Sequence, residues 1–94
     1  MLSAAQMRAA RALLGIDQKR LAELSGVSLP TIQRMEASEG GSVRGVVESL
    51  VKVLNAFESN GVELIGDNAR SEGKGRGVRL KEPGQLPSLS AGDD

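Results

Sequence analysis

Apolar residues recur at intervals of three and four along residues 1–60, whereas glycine, serine, proline and charged residues dominate from residue 61 onward. Positions three and four apart lie on one face of an α-helix, so the first part of the chain is predicted to form amphipathic helices around a common core. Glycine and polar residues interrupt the pattern three times and divide it into four helical segments. The sequence therefore predicts an all-α domain.

Residues with strong capping preferences indicate where these helices begin and end. Ser3 and Gln6 have the spacing of a capping box, in which each side chain satisfies an unpaired amide at the start of a helix. Gly15 and Gly26 suit the left-handed conformation that ends a helix. The predicted N-cap residues are Ser3, Asp17, Ser28 and Ser42, and the fourth helix is expected to end at Asn60 and Gly61.

The fourth segment carries a wide apolar stripe that runs over four helical turns. We expect most of this stripe to lie in the core. It is wider than three short helices can cover, so part of it is also a candidate dimer interface. Its members are Val43, Val46, Val47, Leu50, Val51, Leu54 and Phe57.

The chain after the fourth segment is predicted to form a different kind of structure. Short alternations of apolar and polar residues at 62–65 and 78–80 predict a β-hairpin around a glycine-rich loop. The stretch 71–77 lacks the spacing of a phosphate-binding P-loop, so we expect it to be flexible. The predicted organisation is a helical domain over residues 1–61, a hairpin over 62–82 that serves in dimerisation, and a disordered tail over 83–94.

The junction between the second and third segments has the spacing of a helix-turn-helix motif. Only Gly26 and Val27 separate the two helices, so the helices must cross steeply, and Gly26 tolerates the positive φ that the turn needs. Ala22 is small where the helices cross, and Ile32 and Met35 fall where side chains must fill the angle between them. Five positions in register indicate the motif: Gln18-x3-Ala22-x3-Gly26-x5-Ile32-x2-Met35.

The residues from Gly15 to Ser28, followed by those from Thr31 to Glu36, resemble the Cro/phage-repressor (XRE) family of helix-turn-helix regulators. The resemblance covers residues 4–60. It implies a phage-repressor-like bundle of four to five helices that binds double-stranded operator DNA as a homodimer. It also implies that the second helix of the motif, the recognition helix, enters the major groove.

The resemblance and the predicted helix positions together indicate a DNA-binding surface. Gln18, at the N-terminus of the first motif helix, matches a glutamine that contacts phosphate. Arg34 can bond guanine O6 and N7 together, and Gln33 can pair with adenine. Leu29 and Pro30 stand where polar readers are common, so we expect them to touch thymine methyl groups or to fit the groove. The predicted DNA-binding residues are Gln18, Ser28, Leu29, Pro30, Thr31, Gln33, Arg34, Ser42 and Arg44.

Two further residues match a structural pair of the family. Arg11 and Glu36 correspond to residues that form a partly buried salt bridge between the first helix and the recognition helix. The resemblance therefore implies that they stabilise the fold. Removing one partner would leave a buried charge without compensation.

The composition narrows the possible functions. The chain has 12 basic and 12 acidic residues, so it lacks the net positive charge that many nucleic-acid-binding proteins carry. It contains no histidine and no cysteine, which excludes thiolate and imidazole metal sites and nucleophilic catalysis by these residues. No apolar run reaches the roughly 18–20 residues of a membrane span. We expect a cytoplasmic protein that is not an enzyme and needs no cofactor, metal or small-molecule ligand.

Three functions are compatible with these observations. The first is a transcriptional regulator that binds a specific DNA sequence as a dimer and acts by occupying its operator. The second is an antitoxin that represses its own operon and also binds a toxin. The third is a protein-interaction adaptor that has kept the fold and lost DNA binding, which would explain the neutral charge. A salt-dependent mobility shift with duplex DNA separates the first two from the third.

Overall fold

The computed structural model describes residues 2–38 and 46–82. The prediction of an all-α fold is confirmed within these residues. None of the helices described is long and apolar enough to cross a membrane. The helices are α1 (Ala4–Leu14), α2 (Gln18–Ser25), α3 (Leu29–Glu36) and α4 (Val47–Ser59).

The first three helices begin at the predicted capping residues. The Ser3 hydroxyl accepts the Gln6 N–H at 3.0 Å, and the Gln6 side-chain oxygen accepts the Ser3 N–H at 2.9 Å, which completes the capping box. Asp17 caps α2 and Ser28 caps α3, each by accepting a backbone N–H of the first turn. Gly15 ends α1 with a φ of 68°. Local sequence therefore determines the bounds of these helices.

The turn between α2 and α3 has the geometry that the motif requires. Gly26 has a φ of 76°, in the left-handed region that favours glycine, and its N–H bonds the Ala22 carbonyl at 2.9 Å. Val27, Ile32 and Met35 are buried next to this turn. The two helices pack against each other, α2 also packs on α4, and α1 packs on α3. The recognition helix is therefore held by the rest of the bundle.

The core contains the apolar faces of all four helices. Its largest fully buried side chains are Phe57, Met7, Leu21, Ile32, Met35 and Val53. Val53 is not part of the predicted apolar stripe, although it is completely buried. The core face of α4 is thus centred on Val53, Ala56 and Phe57, and Val46, Val47 and Val51 of the stripe are exposed.

The fourth helix begins later than predicted. Its first residue is Val47, and Val46 before it is extended, with φ −74° and ψ 144°. A helix capped by Ser42 is therefore wrong, while Ser42 itself lies outside the described residues. The β-branched Val46 has low helix propensity, which fits its extended conformation directly before the helix.

A Schellman motif ends the fourth helix and fixes the chain that follows. Gly61 has a φ of 85°, its N–H bonds the Glu58 carbonyl at 3.0 Å, and the Val62 N–H bonds the Phe57 carbonyl at 3.0 Å. Both Val62 and Phe57 are buried. The chain therefore leaves α4 from a point that is anchored in the core.

The predicted β-hairpin is wrong, because the described residues 62–82 contain no strand. Val62 and the partly buried Leu64 pack on the helical core, and the Ile65 carbonyl accepts a hydrogen bond from the Gln6 side chain at 3.1 Å. Val78 is 92% exposed and Leu80 is 56% exposed, so the second predicted strand has no apolar surface to pack on. The alternation at 62–65 therefore reflects packing on the bundle and not strand pairing.

Candidate nucleic-acid interface

The first turn of α3 presents small polar and apolar side chains to solvent. Ser28 and Pro30 are exposed, while Leu29 and Thr31 are half-buried. Pro30 lies in the first helical turn, where a missing N–H costs no helical hydrogen bond. The exposed side chains at this end of the helix, Ser28 and Pro30, are thus small and leave room for a ligand.

A row of hydrogen bonds runs along the outer face of α3. The Ser28 hydroxyl donates to the Thr31 hydroxyl oxygen at 2.9 Å, and the Arg34 guanidinium donates to the same oxygen at 3.2 Å. Arg34 and its neighbour Gln33 are both exposed. The Thr31 contact uses one N–H of a group that carries five, so the remaining donors can still bind a ligand.

The inner face of α3 is held by an ion pair at its C-terminal end. Arg11 Nε lies 2.6 Å from Glu36 Oε2, and Arg11 Nη2 donates to Glu36 Oε1 at 2.7 Å, so the pair is bidentate. The Glu36 side chain is only 3% exposed. Gln18 Nε2 donates to Glu36 Oε1 at 3.0 Å. One carboxylate thus connects α1, α2 and α3, and the pair implied by the family resemblance is present.

The surroundings of Glu36 favour its charged form. Burial raises the pKa of this carboxyl, but the hydrogen bonds from Arg11 and Gln18 and the charges of Arg11 and Arg8 outweigh burial, so the pKa is lowered from its ordinary value. The hydrogen bond to Glu36 correspondingly raises the pKa of Arg11. Arg8 adds a bond of 2.7 Å from its guanidinium to the Glu36 backbone carbonyl. Both members of the ion pair remain charged at neutral pH.

A family model described as a helix-turn-helix domain matches residues 4–60. The chain belongs to this family. No match was found among curated proteins or among solved structures. The matched residues include all four helices described above, and the helix-turn-helix domain is a DNA-binding fold.

In this helix-turn-helix domain, Gln18 has a contact that the sequence did not reveal. It was expected at the N-terminus of α2 as a phosphate ligand, and it does lie there, but one N–H of its amide is bonded to Glu36. The side chain is half-buried, and its second N–H has no partner within the described residues. The phosphate contact stays a prediction, and the bond to Glu36 would fix the direction of this amide.

Other sequence-based assignments have different outcomes. Ser42 and Arg44 lie outside the described residues. Arg8 was not singled out, although it lies three residues before Arg11 and therefore on the same face of α1, which is the signal that could have identified it. Across residues 2–38 and 46–82, no group of three or more acidic residues could hold a metal ion.

Proposed function

We propose that this protein is a transcriptional regulator that recognises a specific DNA sequence through α3 and acts by occupying its operator as a homodimer. The proposal rests on the difference between the two faces of α3, one exposed to solvent and the other bonded to the neighbouring helices. Its outer face exposes Arg34 and Gln33, while Glu36 on its inner face is bonded to α1 and α2. A rigid helix with free hydrogen-bond donors is suited to reading base edges.

The residue roles follow from their positions on the two motif helices. Arg34 reads a guanine, because its guanidinium is exposed and already oriented by Thr31. Gln18 contacts phosphate at the N-terminus of α2, where unpaired N–H groups favour an anion. Ser28 and Thr31 lie at the start of α3 and contact the DNA backbone or base edges.

Arg34→Ala tests the proposed base contact. The variant should lose about 1–3 kcal/mol of binding free energy on the cognate duplex and its preference at one base pair. Arg34→Lys is the matched control, since it keeps the charge but not the bidentate geometry, and it should retain binding to random DNA while losing the same preference. Fluorescence anisotropy on duplexes selected from a random pool measures both. Equal losses on cognate and random DNA would overturn the assignment.

The homodimer is proposed to form through the N-terminal part of α4. Val46, Val47 and Val51 are 67%, 74% and 47% exposed, which is unusual for three neighbouring valines of one small domain. A helical domain of this size is only marginally stable alone, and two recognition helices are needed to read two half-sites about 34–36 Å apart. A second copy of the chain on this valine patch would meet both needs.

Val47→Asp tests the proposed interface. An acid in the first turn of α4 is compatible with the helix dipole, so the fold should persist while the dimer dissociates. Val78→Asp is the matched control, because Val78 is 92% exposed and lies outside the valine patch. Sedimentation at micromolar concentration should give a monomer for Val47→Asp and a dimer for Val78→Asp. A Val47→Asp dimer would place the interface elsewhere.

A further inference from the structure

The neutral net charge of the chain conceals one strongly basic segment. Residues 70–81, here called the basic arm, carry five cationic side chains and the single carboxylate of Glu72, which gives a formal charge of +4 within 12 residues. Every residue of the basic arm is exposed, and none belongs to a helix or a strand. The cationic residues are Arg70, Lys74, Arg76, Arg79 and Lys81.

Hydrogen bonds to the Glu63 carboxylate hold the first residues of the basic arm close to the helical bundle. The Glu63 carboxylate accepts the Ser71 hydroxyl at 2.9 Å, the Glu72 N–H at 2.9 Å and the Gly73 N–H at 3.0 Å. A Cβ on residue 73 would lie 2.9 Å from Glu63 Oε1, so a larger residue would require the Glu63 side chain to shift. Glu63 follows directly on Val62, which is buried in the core. The arm therefore has a defined origin on the domain.

Hydrogen bonds from Arg79 connect the C-terminal part of the basic arm to the residues just before it. Arg79 donates to the Ala69 carbonyl at 2.6 Å and to the Gly66 carbonyl at 3.3 Å. Between the two contacts, glycine alternates with cationic residues from Gly73 to Gly77. Lys74 and Arg76 therefore have only glycine as direct neighbours, and no adjacent side chain hinders their approach to a ligand. Cationic groups held in this way can approach a charged surface closely.

We propose that the basic arm binds the phosphate backbone of the DNA duplex that the helix-turn-helix domain reads. Arg70, Lys74, Arg76 and Lys81 have no hydrogen bond or ion pair with any of the described residues, so their charges are open to an external anion. Duplex DNA carries one negative charge per about 1.7 Å of its axis, and cations that neutralise it release counterions. The inference rests on the proposed function, because the helices bring the duplex to the domain.

The predicted contact is independent of DNA sequence. Lysines and arginines on an irregular exposed loop contact phosphates, and these contacts add affinity without selecting a base. The arm therefore complements α3: removing its charges should weaken cognate and random duplexes alike. Residues 2–38, which include the two motif helices, contain five cationic and three acidic residues and have a formal charge of +2. The basic arm, with +4, is the more strongly charged of these two regions.

The test compares the full chain with Lys74→Ala/Arg76→Ala by fluorescence anisotropy on cognate and random duplexes. The salt concentration is varied from about 0.05 to about 0.3 M, a roughly sixfold range over which the salt dependence is measured. The plot of log affinity against log salt should become shallower by about 1.8, since each phosphate contact contributes about 0.9. Affinity at the low-salt end should fall at least about tenfold on both duplexes. Lys74→Arg/Arg76→Lys is the matched control that keeps both charges and should keep the slope.

The outcomes separate this inference from the proposed function. An unchanged slope in the alanine variant, with cognate preference intact, overturns the arm contact alone. A shallower slope in a protein that shows no cognate preference supports the arm and overturns the sequence-specific function. The same assay is repeated with single-stranded RNA and with an acidic protein as ligands. If the alanine variant loses affinity for either of these and binds both duplexes unchanged, the choice of DNA is overturned. No duplex binding by any form overturns both proposals.

Discussion

Two carboxylates in this protein accept three hydrogen bonds each and have very different surroundings. Glu36 lies inside the helical bundle, with a side chain that is 3% exposed, and its partners are side chains from two other helices. Glu63 lies on the surface beyond α4, and its partners are a hydroxyl and two backbone amides of one loop. In both cases the pKa of the carboxyl is lowered.

The different surroundings lead us to expect that the two carboxylates contribute unequally to stability, although they accept the same number of hydrogen bonds. The Glu36 side chain is shielded from water, so water cannot replace a lost partner, and removing one member of the ion pair leaves the other as an uncompensated buried charge. Around Glu63, water can replace each of the three donors at little cost. We therefore expect Glu36 to stabilise the whole fold and Glu63 to order only its own loop.

The largest effect is expected for Glu36→Ala. This change leaves Arg11 without its bidentate partner and should lower the free energy of unfolding by about 3 kcal/mol, as measured by urea denaturation. The matched control is Glu23→Ala, which breaks the Arg20–Glu23 pair, whose side chains are 57% and 54% exposed. That variant should lose less than about 1 kcal/mol.

The double variant Arg11→Ala/Glu36→Ala tests whether the loss arises from this pair. Its destabilisation should be smaller than the sum of the single losses by about 1–3 kcal/mol, because the two changes remove one shared interaction. Strict additivity would show that Arg11 and Glu36 stabilise the protein separately.

A smaller effect is expected when pH is changed. The folded-state pKa of Glu36 is below its unfolded value of about 4.3, so the charged carboxylate contributes its full stability above that pH. This contribution is lost as the pH falls through the folded-state pKa. The difference in unfolding free energy between the wild type and Glu36→Gln should therefore narrow between pH 7 and acid pH. A constant difference would contradict the charged state of Glu36.

The smallest effect is expected for Glu63→Ala. The urea denaturation midpoint should stay unchanged, because the carboxylate and its partners are all exposed and water can replace the lost contacts. Amide hydrogen exchange of Glu72 and Gly73 should nevertheless become faster, since both N–H groups lose their acceptor. Glu82→Ala, another exposed acid, should leave the exchange of these amides unchanged. A loss comparable to that of Glu36→Ala would remove the distinction between the two carboxylates.

The parts of this structure that depend on neighbouring residues could be predicted from the sequence. The capping box of Ser3 and Gln6, the left-handed Gly26 and the first residues of α2 and α3 all follow from preferences that act within a few positions. The helix-turn-helix spacing is of the same kind, and the match over residues 4–60 confirms it.

The remaining features depend on contacts between distant parts of the chain. The bond from Gln18 to Glu36 requires a folded bundle before the partners meet, so no local spacing indicates it. The bonds of Glu63 span 8 to 10 residues of an irregular loop, for which no spacing rule exists. The hairpin prediction failed for a related reason. Four alternating residues fit a strand, but Val62 and Leu64 can equally pack on helices that are already in place. The late start of α4 shows that an apolar stripe gives no boundary by itself.

The bond from Arg34 to Thr31 has a consequence for the entropy of binding. A free arginine side chain loses up to about 2 kcal/mol of rotamer entropy when a ligand immobilises it. In this protein the Thr31 hydroxyl oxygen accepts a hydrogen bond from the guanidinium at 3.2 Å and so restrains it. If Arg34 reads a base as proposed, part of this ordering is already supplied by the protein, and the side chain has fewer conformations left to lose on binding.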